Sequence, residues 1–457
     1  MYSQVFGGLL FAIFAGQPLV VVMTTAPLVL FTQIILAIAD NFGFSFLPFY
    51  AMVGLWNSFF LLIYSLLNLS FVMKFCTRST EEIFSNFISI ALVVDALKHV
   101  VGDFRENYMV CANQNPLNAT AVAANVTTTM TQGGECQREV SLLYLILMLG
   151  TVWFGLTVYN FIKTPYLSHQ KRELLSDYAL PVAVIVFSAI GSGVFKDVAM
   201  KPFDYKTGTF QFSPVNFSEL SHGAVLGAAL LGFSLSILFF MDQNISAAMV
   251  NSPENKLKKG NAYHWDLIVV SLINGTLAVF GLPFMHAVLP HSPLHVRCLA
   301  DVETRIEGGY VRDIVTHVRE TRLTNILSNI LIGLSILFLP YVLVYVPKAV
   351  LDGLFLYMAV TPLYGNQMWE RITLFFTEQA AHPPNHIVKR VPERTMHKFT
   401  VCQVFQLVIL CMFGFTPWPY IKIVFPIVII LFIPVRRLLL PKLFKRKFLE
   451  AMDPSHI

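Results

Sequence analysis

The sequence predicts an all-α polytopic membrane protein, and three observations carry that prediction. Of 457 residues, 55% are hydrophobic and only 13% are charged, too little polar surface to cover a soluble globule of this size. Apolar runs long enough to cross a hydrocarbon core of ~30 Å recur along the chain. Between them lie two stretches that echo each other. Gly16-Gln17-Pro18 leads through a β-branched run to Thr24-Thr25-Ala26-Pro27-Leu28, as Gly281-Leu282-Pro283 leads to Ser292-Pro293-Leu294.

Each echo sets two prolines about nine or ten residues apart, which a continuous helix does not tolerate. Each therefore reads as a helix end, a short extended link and a new helix starting in mid-membrane. Irregular backbone at that depth survives only inside protein or beside a water-filled cavity, so paired interrupted segments mark a transporter's binding site. The rival reading is two unrelated proline kinks.

Spanning runs fall at 3–23, 47–73, 80–102, 140–162, 179–195, 223–250, 264–282, 322–346, 398–415 and 420–435. Shorter runs near 26–39, 291–302 and 348–363 read as half or broken spans, giving about thirteen elements. Met1 is followed at once by an apolar segment with no basic n-region or cleavage site. Ser79-Thr80-Glu81-Glu82 opens the third long span as a capping box, and Lys74 and Arg78 make that end cytoplasmic. The polar loop 103–138 then faces outward. It holds two glycosylation acceptors, Asn118 and Asn125, together with Cys111 and Cys136. In an oxidising compartment these two form a disulfide, or they remain free thiols.

From there the sides alternate under the positive-inside rule. Lys163, Lys171 and Arg172 fall inside, loop 196–222 outside, and Lys256, Lys258 and Lys259 inside. Arg305, Arg312, Arg319 and Arg322, then Lys389, Arg390 and Arg394 in loop 379–397, are also cytoplasmic. The tail carries Arg436, Arg437, Lys442, Lys445, Arg446 and Lys447 on amphipathic spacing that suits an anionic inner leaflet. The expected organisation is a first repeat at 1–195, an extracellular loop at 196–222, a second repeat at 223–435 and a basic cytoplasmic tail at 436–457. An odd number of elements separates the echoes, so the second enters the membrane in the opposite sense. Half-helices starting near Thr25 and Ser292 then point their positive ends at each other, a ready site for a small anion.

Asp242 is the one acid of the 223–250 span. An ionisable group in mid-membrane costs several kcal/mol unless it serves a polar path; the alternative is an acid snorkelling toward the cytoplasmic edge. His291 opens the second half-helix and titrates near neutrality, as a proton-coupled site requires, although a lone histidine is more often structural. Thr25 and Ser292 supply hydroxyls that touch substrate or merely cap helices. His286 and His295 rank lower, since either could simply bond a carbonyl. The six cysteines are scattered, with no CxxC or Cys/His metal spacing and no nucleophile-base pair, so no cofactor, metal or enzymatic chemistry is expected. The net charge of +5 is modest and gives no footprint for nucleic acid.

Gly7-Gly8-Leu9-Leu10-Phe11, Gln17-Pro18-Leu19, Gly54-Leu55-Trp56-Asn57-Ser58-Phe59-Phe60, Ser79-Thr80-Glu81-Glu82-Ile83-Phe84 and Asn251-Ser252-Pro253-Glu254-Asn255 resemble the membrane domain of the anion exchanger and bicarbonate transporter family. Pro290-His291-Ser292-Pro293-Leu294-His295-Val296-Arg297, Tyr263-His264-Trp265-Asp266 and Lys389-Arg390-Val391-Pro392 are most similar to its sodium-borate-cotransporter-like branch. The resemblance implies an inverted repeat of the 7+7 type, a core and a gate domain, a homodimer and a multi-pass plasma-membrane location. It also matches Lys98 to a lysine near the external vestibule, although a snorkelling lysine reads the same.

Three departures from the family pattern bear on function. Met1 aligns within the family's second segment, so the first segment and the large cytoplasmic domain are expected to be missing and one side of the core to lie uncovered. Asp242 stands where the family usually has glutamate. His291 stands where bicarbonate exchangers place an arginine, which argues against classical chloride/bicarbonate exchange. The expectation is a secondary transporter of proton or hydroxide equivalents, with or without a small inorganic solute. Sodium-coupled borate or bicarbonate transport is the alternative, and a non-transporting chain that only associates with a full-length partner is the alternative from another class. Asp242 and His291 are expected to act together if they approach within ~4–6 Å.

Overall fold

The computed structural model describes residues 1–71, 78–109, 138–198, 200, 213–218, 220–289, 291–307, 310–364, 366–378, 390–416 and 418–453. Cys111, Cys136, Asn118 and Asn125 lie outside them. The described chain is an almost wholly helical membrane protein, in which four helices are long and apolar enough to span a bilayer. A further pair, His169–Asp177 and Ala179–Val194, is bent by 59°.

Two compact units emerge, each drawn from both halves of the sequence: Met1–Phe87, Phe210–Leu337 and Gly365–Ile457 in one, Ile88–Thr209 and Phe338–Tyr364 in the other. In the first unit, α1 (Tyr2–Phe14) ends before the first link, whose extended residues form β1 (Val22–Met23) and lead into α2 (Ala26–Phe42). The long helix α3 (Phe46–Leu66) follows, and α4 (Arg78–Phe104) begins in this unit and ends in the other. The second unit holds α5 (Arg138–Asn160), α6 (His169–Asp177) and α7 (Ala179–Ala189).

The first unit is centred on α8 (His222–Val250), which is buried without interruption from Ser234 to Ala247. A helix apolar on nearly every face has no stripe to turn outward, so it becomes the core itself. The helices α3 and α9 (Tyr263–Val279) pack against each other, with the Ser271 hydroxyl donating to the Ser58 carbonyl (2.7 Å) and the Ser65 hydroxyl to that of His264 (2.6 Å). Gly281 ends α9 in the left-handed region (φ +63°), returning the N–H of Leu282 to the carbonyl of Leu277 (2.9 Å). The second link then forms β2 (His286–Ala287) and enters α10 (His291–Cys298).

The apolar run at 291–302, expected as a broken span, stops being helical at Cys298. Residues Ala300–Glu307 (β3) and Tyr310–Val318 (β4) form an antiparallel hairpin with an irregularity between Asp301 and Val302. Alternation of β-branched with polar residues carries a period of two, which outweighs the short apolar average. Among the described residues this hairpin and the short β1–β2 pairing are local inserts in an architecture that is all-helical as expected. The chain continues through α11 (Leu323–Val342), α12 (Lys348–Val360), α13 (Gln367–Thr373) and α14 (Glu393–Phe415). Short helices α15 (Pro419–Lys422), α16 (Phe425–Pro434), α17 (Leu440–Leu443) and α18 (Arg446–Met452) close it.

Within the second unit, α5 and α12 pack closely. Leu147, Met148, Ala349 and Val350 form its core, and Asp352 accepts hydrogen bonds from Tyr144 and, at 3.0 Å, from His99. Gly353 makes the approach possible, because a Cβ there would lie 2.7 Å from the Met148 carbonyl oxygen.

Candidate functional site

The two links cross as an antiparallel pair, with Val22 opposite Ala287 and Met23 opposite His286. Two residues per strand cannot satisfy an extended backbone at membrane depth, so side chains must do the rest. On the first link, the Asp266 carboxylate accepts the N–H of Gly16 (2.6 Å), and the Leu19 carbonyl accepts from His295 Nδ1 (3.0 Å). Asn325 donates to the Val20 carbonyl (3.0 Å) and Gln4 to that of Val22 (2.9 Å). The second link is held as fully. Asn274 grips Met285 with both amide atoms (2.9 and 2.8 Å), Thr24 donates to the Phe284 carbonyl (2.9 Å), and Gln243 Oε1 accepts the Ala287 N–H (2.9 Å).

At this crossing the structure assembles a polar cluster. Thr25 is the N-cap residue of α2, and its side chain turns to His286, with Oγ1 2.9 Å from Nε2. Asp242, on the central helix, places Oδ2 3.2 Å from the same nitrogen. The ring's other nitrogen, Nδ1, lies 2.8 Å from the Ala287 carbonyl, which can only accept, so Nδ1 carries a proton. Phe239 fixes the ring edge-on at a centroid distance of 5.0 Å.

This geometry limits the protonation states. With Nδ1–H committed, a deprotonated Nε2 and an ionised Asp242 would face each other as two acceptors. One proton between them resolves the clash, carried as a carboxylic acid donating to the imidazole or as an imidazolium donating to the carboxylate. The pair is then electrically neutral, and its loss of that proton leaves one negative charge in a site where both side chains are at most 4% exposed. Asp242 Oδ1, Gln243 Nε2, Asn244 Oδ1 and Ser246 Oγ are also buried without a hydrogen-bond partner among the described residues. Of these, Asp242 and Ser246 lie one turn apart on the same face of α8, and a buried orphaned polar group calls for an explanation such as a bound polar species or a water.

The imidazole that Asp242 reaches is thus His286, which sequence reasoning ranked below His291. His291 begins α10 and is exposed. Ser292 is fully buried, and its hydroxyl accepts the Val21 N–H of the opposite link at 3.1 Å, a bond that ties the start of α10 to the first link. His295 bonds carbonyl and hydroxyl, as the lower-ranked reading held, with Thr324 Oγ1 2.8 Å from Nε2. Lys98 belongs to the second unit, is largely exposed and pairs with Asp95 at 3.2 Å. No group of three or more His, Cys, Asp or Glu side chains that could hold a metal occurs among the described residues. Gln243 and Asn274 went unread, because a buried amide next to an apolar run carries no spacing signal.

A profile described as the HCO3- transporter integral membrane domain matches residues 1–133 and 110–457. The chain is 46% identical to Solute carrier family 4 member 11 of Homo sapiens over 99% of its own length and 54% of that protein's. It is 30% identical to the human Band 3 anion transport protein over 99% of its length and 49% of that protein's. It therefore spans about half the length of the curated relatives it matches. Among solved structures, the transmembrane domain of the cyanobacterial bicarbonate transporter BicA aligns with 89% of this chain and 88% of its own (TM-score 0.54, 14% identity). The murine Solute Carrier 26 family member A9 anion transporter, inward-facing, aligns with 94% of this chain and 63% of its own (TM-score 0.56, 16% identity). At such identities these two speak for the fold alone. The sequence matches carry the assignment: this chain is an integral, multi-pass membrane protein, not an enzyme, and belongs to the HCO3- transporter membrane-domain family.

Proposed function

We propose that this chain is the transport domain of a secondary transporter that moves proton or hydroxide equivalents, with or without a small inorganic solute, through the crossing of the two links. The observation that carries the reading is the Asp242–His286 pair, 3.2 Å apart and buried, which is neutral with one proton and anionic without it. Net charge at the crossing therefore follows proton occupancy. Two helix starts converge there with positive partial charge, so a deprotonated pair would compete with any anion for the same field, and a protonated pair would yield it. Thr25 orients the imidazole, and Ser292 holds the links in register. The reading includes a 7+7 inverted repeat, in which Thr25 and Ser292 mark equivalent half-helix starts, and a homodimer in the plasma membrane.

A second reading, sodium-coupled borate or bicarbonate transport, draws support from Asp242 Oδ1. A buried carboxylate oxygen with no partner among the described residues is a hard donor of the kind that alkali and alkaline-earth cations take. Purified protein in liposomes, with internal pH followed under imposed proton, sodium and borate gradients, separates the two. The first reading expects a pH change driven by the proton gradient alone. A pH change that appears only with sodium present would overturn it in favour of the second.

A further inference from the structure

The basic tail has a use that the crossing does not explain. It does not trail away from the protein. Leu440, Phe444, Leu449 and Met452 are buried against Leu374, Val391, Met396 and Phe399 of the first unit. Beyond them, Asp453 pairs with Arg436 and accepts the backbone N–H of Ser79 at 2.9 Å, capping the start of α4 from the far end of the chain. Docking consumes the apolar face of α17 and α18 and fixes what remains. On the outer face Lys442, Lys445 and Lys447 are exposed, interleaved with exposed Leu438 (66%), Leu439 (53%) and Leu443 (60%).

We infer that this pinned face, residues 438–447, is a binding site for the headgroups of anionic phospholipids. Position is the first argument. The segment follows the apolar helix Phe425–Pro434 after one turn of π-helix, so it leaves the hydrocarbon at headgroup level, on the side that the positive-inside pattern makes cytoplasmic. Charge is the second: the nearby acid on α18, Glu450, is engaged by Arg446 at 2.8 Å, which leaves the three lysines to act on an anion. The leucines are the third, since a free phosphate ion has no use for exposed apolar neighbours, whereas a lipid presents acyl chain beside its headgroup. A second copy of the same face would meet it with like charge. Because the core cluster holds the lysines in place, the site is preorganised in a way a loose polybasic tail is not.

The test uses the full chain in nanodiscs of phosphatidylcholine with or without phosphatidylserine, with retained lipid counted by native mass spectrometry. The parent is expected to retain phosphatidylserine in preference to phosphatidylcholine and to lose that preference as salt rises. Combined Lys442→Gln, Lys445→Gln and Lys447→Gln should weaken retention on the order of a hundredfold, with the unfolding midpoint in pure phosphatidylcholine unchanged. Lys258→Gln with Lys259→Gln, exposed lysines elsewhere on the same side, should leave retention as in the parent. Equal retention in the triple variant, an equal loss in the control pair, or complete displacement of lipid by millimolar inorganic phosphate would each overturn the assignment.

Discussion

If Asp242 and His286 share one proton, removing either partner has unequal consequences, and a double-mutant cycle exposes the asymmetry. His286→Ala deletes the imidazole 3.2 Å from Asp242 Oδ2 and leaves an acid that is 3% exposed, with Oδ1 already lacking a partner among the described residues. Breaking a buried pair in this way costs about 3–5 kcal/mol. Asp242→Asn keeps the shape and offers an N–H to the unprotonated Nε2, so it should cost only about 1 kcal/mol. In the Asp242→Asn background there is no charge to strand, and His286→Ala then costs roughly the lost packing alone. The expected coupling is therefore about 2 kcal/mol, within the range seen for directly interacting residues. The assay is unfolding of the four purified proteins in one detergent, with surface expression in cells as a second readout. Effects that add to within ~0.5 kcal/mol would show that the two side chains are independent and refute the shared proton.

Three further outcomes follow from the same geometry and sequence. Ser292→Ala removes the acceptor of the Val21 N–H, a part-buried bond of 3.1 Å, and should cost about 1 kcal/mol in the same unfolding assay, whereas a change at exposed His291 should be close to neutral for stability. Gly353→Ala drives a Cβ to 2.7 Å from the Met148 carbonyl and 2.8 Å from Thr151 Cβ; backbone cannot give way cheaply, so a loss of about 1–3 kcal/mol is expected. Asn118 and Asn125 should carry glycans, so glycosidase should shift the mobility of cell-expressed protein. The double Asn→Gln variant should show no shift.

The polytopic helical plan was legible because apolar length and proline placement act locally. Helix starts at Thr25 and His291, and the end of the first helix before Gly16, follow from Pro and Gly positions that any chain would obey. The hairpin at 300–318 went unread because only its first three residues fall in the apolar run 291–302 and the rest was read through its arginines as a cytoplasmic stretch, although its alternation of β-branched and polar residues was there to be read. At the site, Asp242 stood out as a lone acid in an apolar span. Its partner did not. His286 and His291 are both near the second link, and sequence favours the one that opens the helix. What selects His286 is the antiparallel register, Met23 opposite His286, which turns its ring toward α8. Such a choice belongs to tertiary pairing, as does the holding of both links by Asn274, Asn325 and Gln243.

In the proposed mechanism, proton occupancy of Asp242 and His286 governs flux. The direct measurement is the initial rate of internal pH change against external pH for the parent, Asp242→Asn and His286→Gln proteins, reconstituted at matched density in liposomes. Both variants keep a hydrogen-bonding side chain of similar size but cannot hold the shared proton as the parent does. Asp242→Asn is expected to abolish proton-coupled flux and His286→Gln to flatten its pH dependence, while both proteins stay folded. Parent-like rates and an unaltered pH profile in both variants would contradict the account and place the coupling site elsewhere.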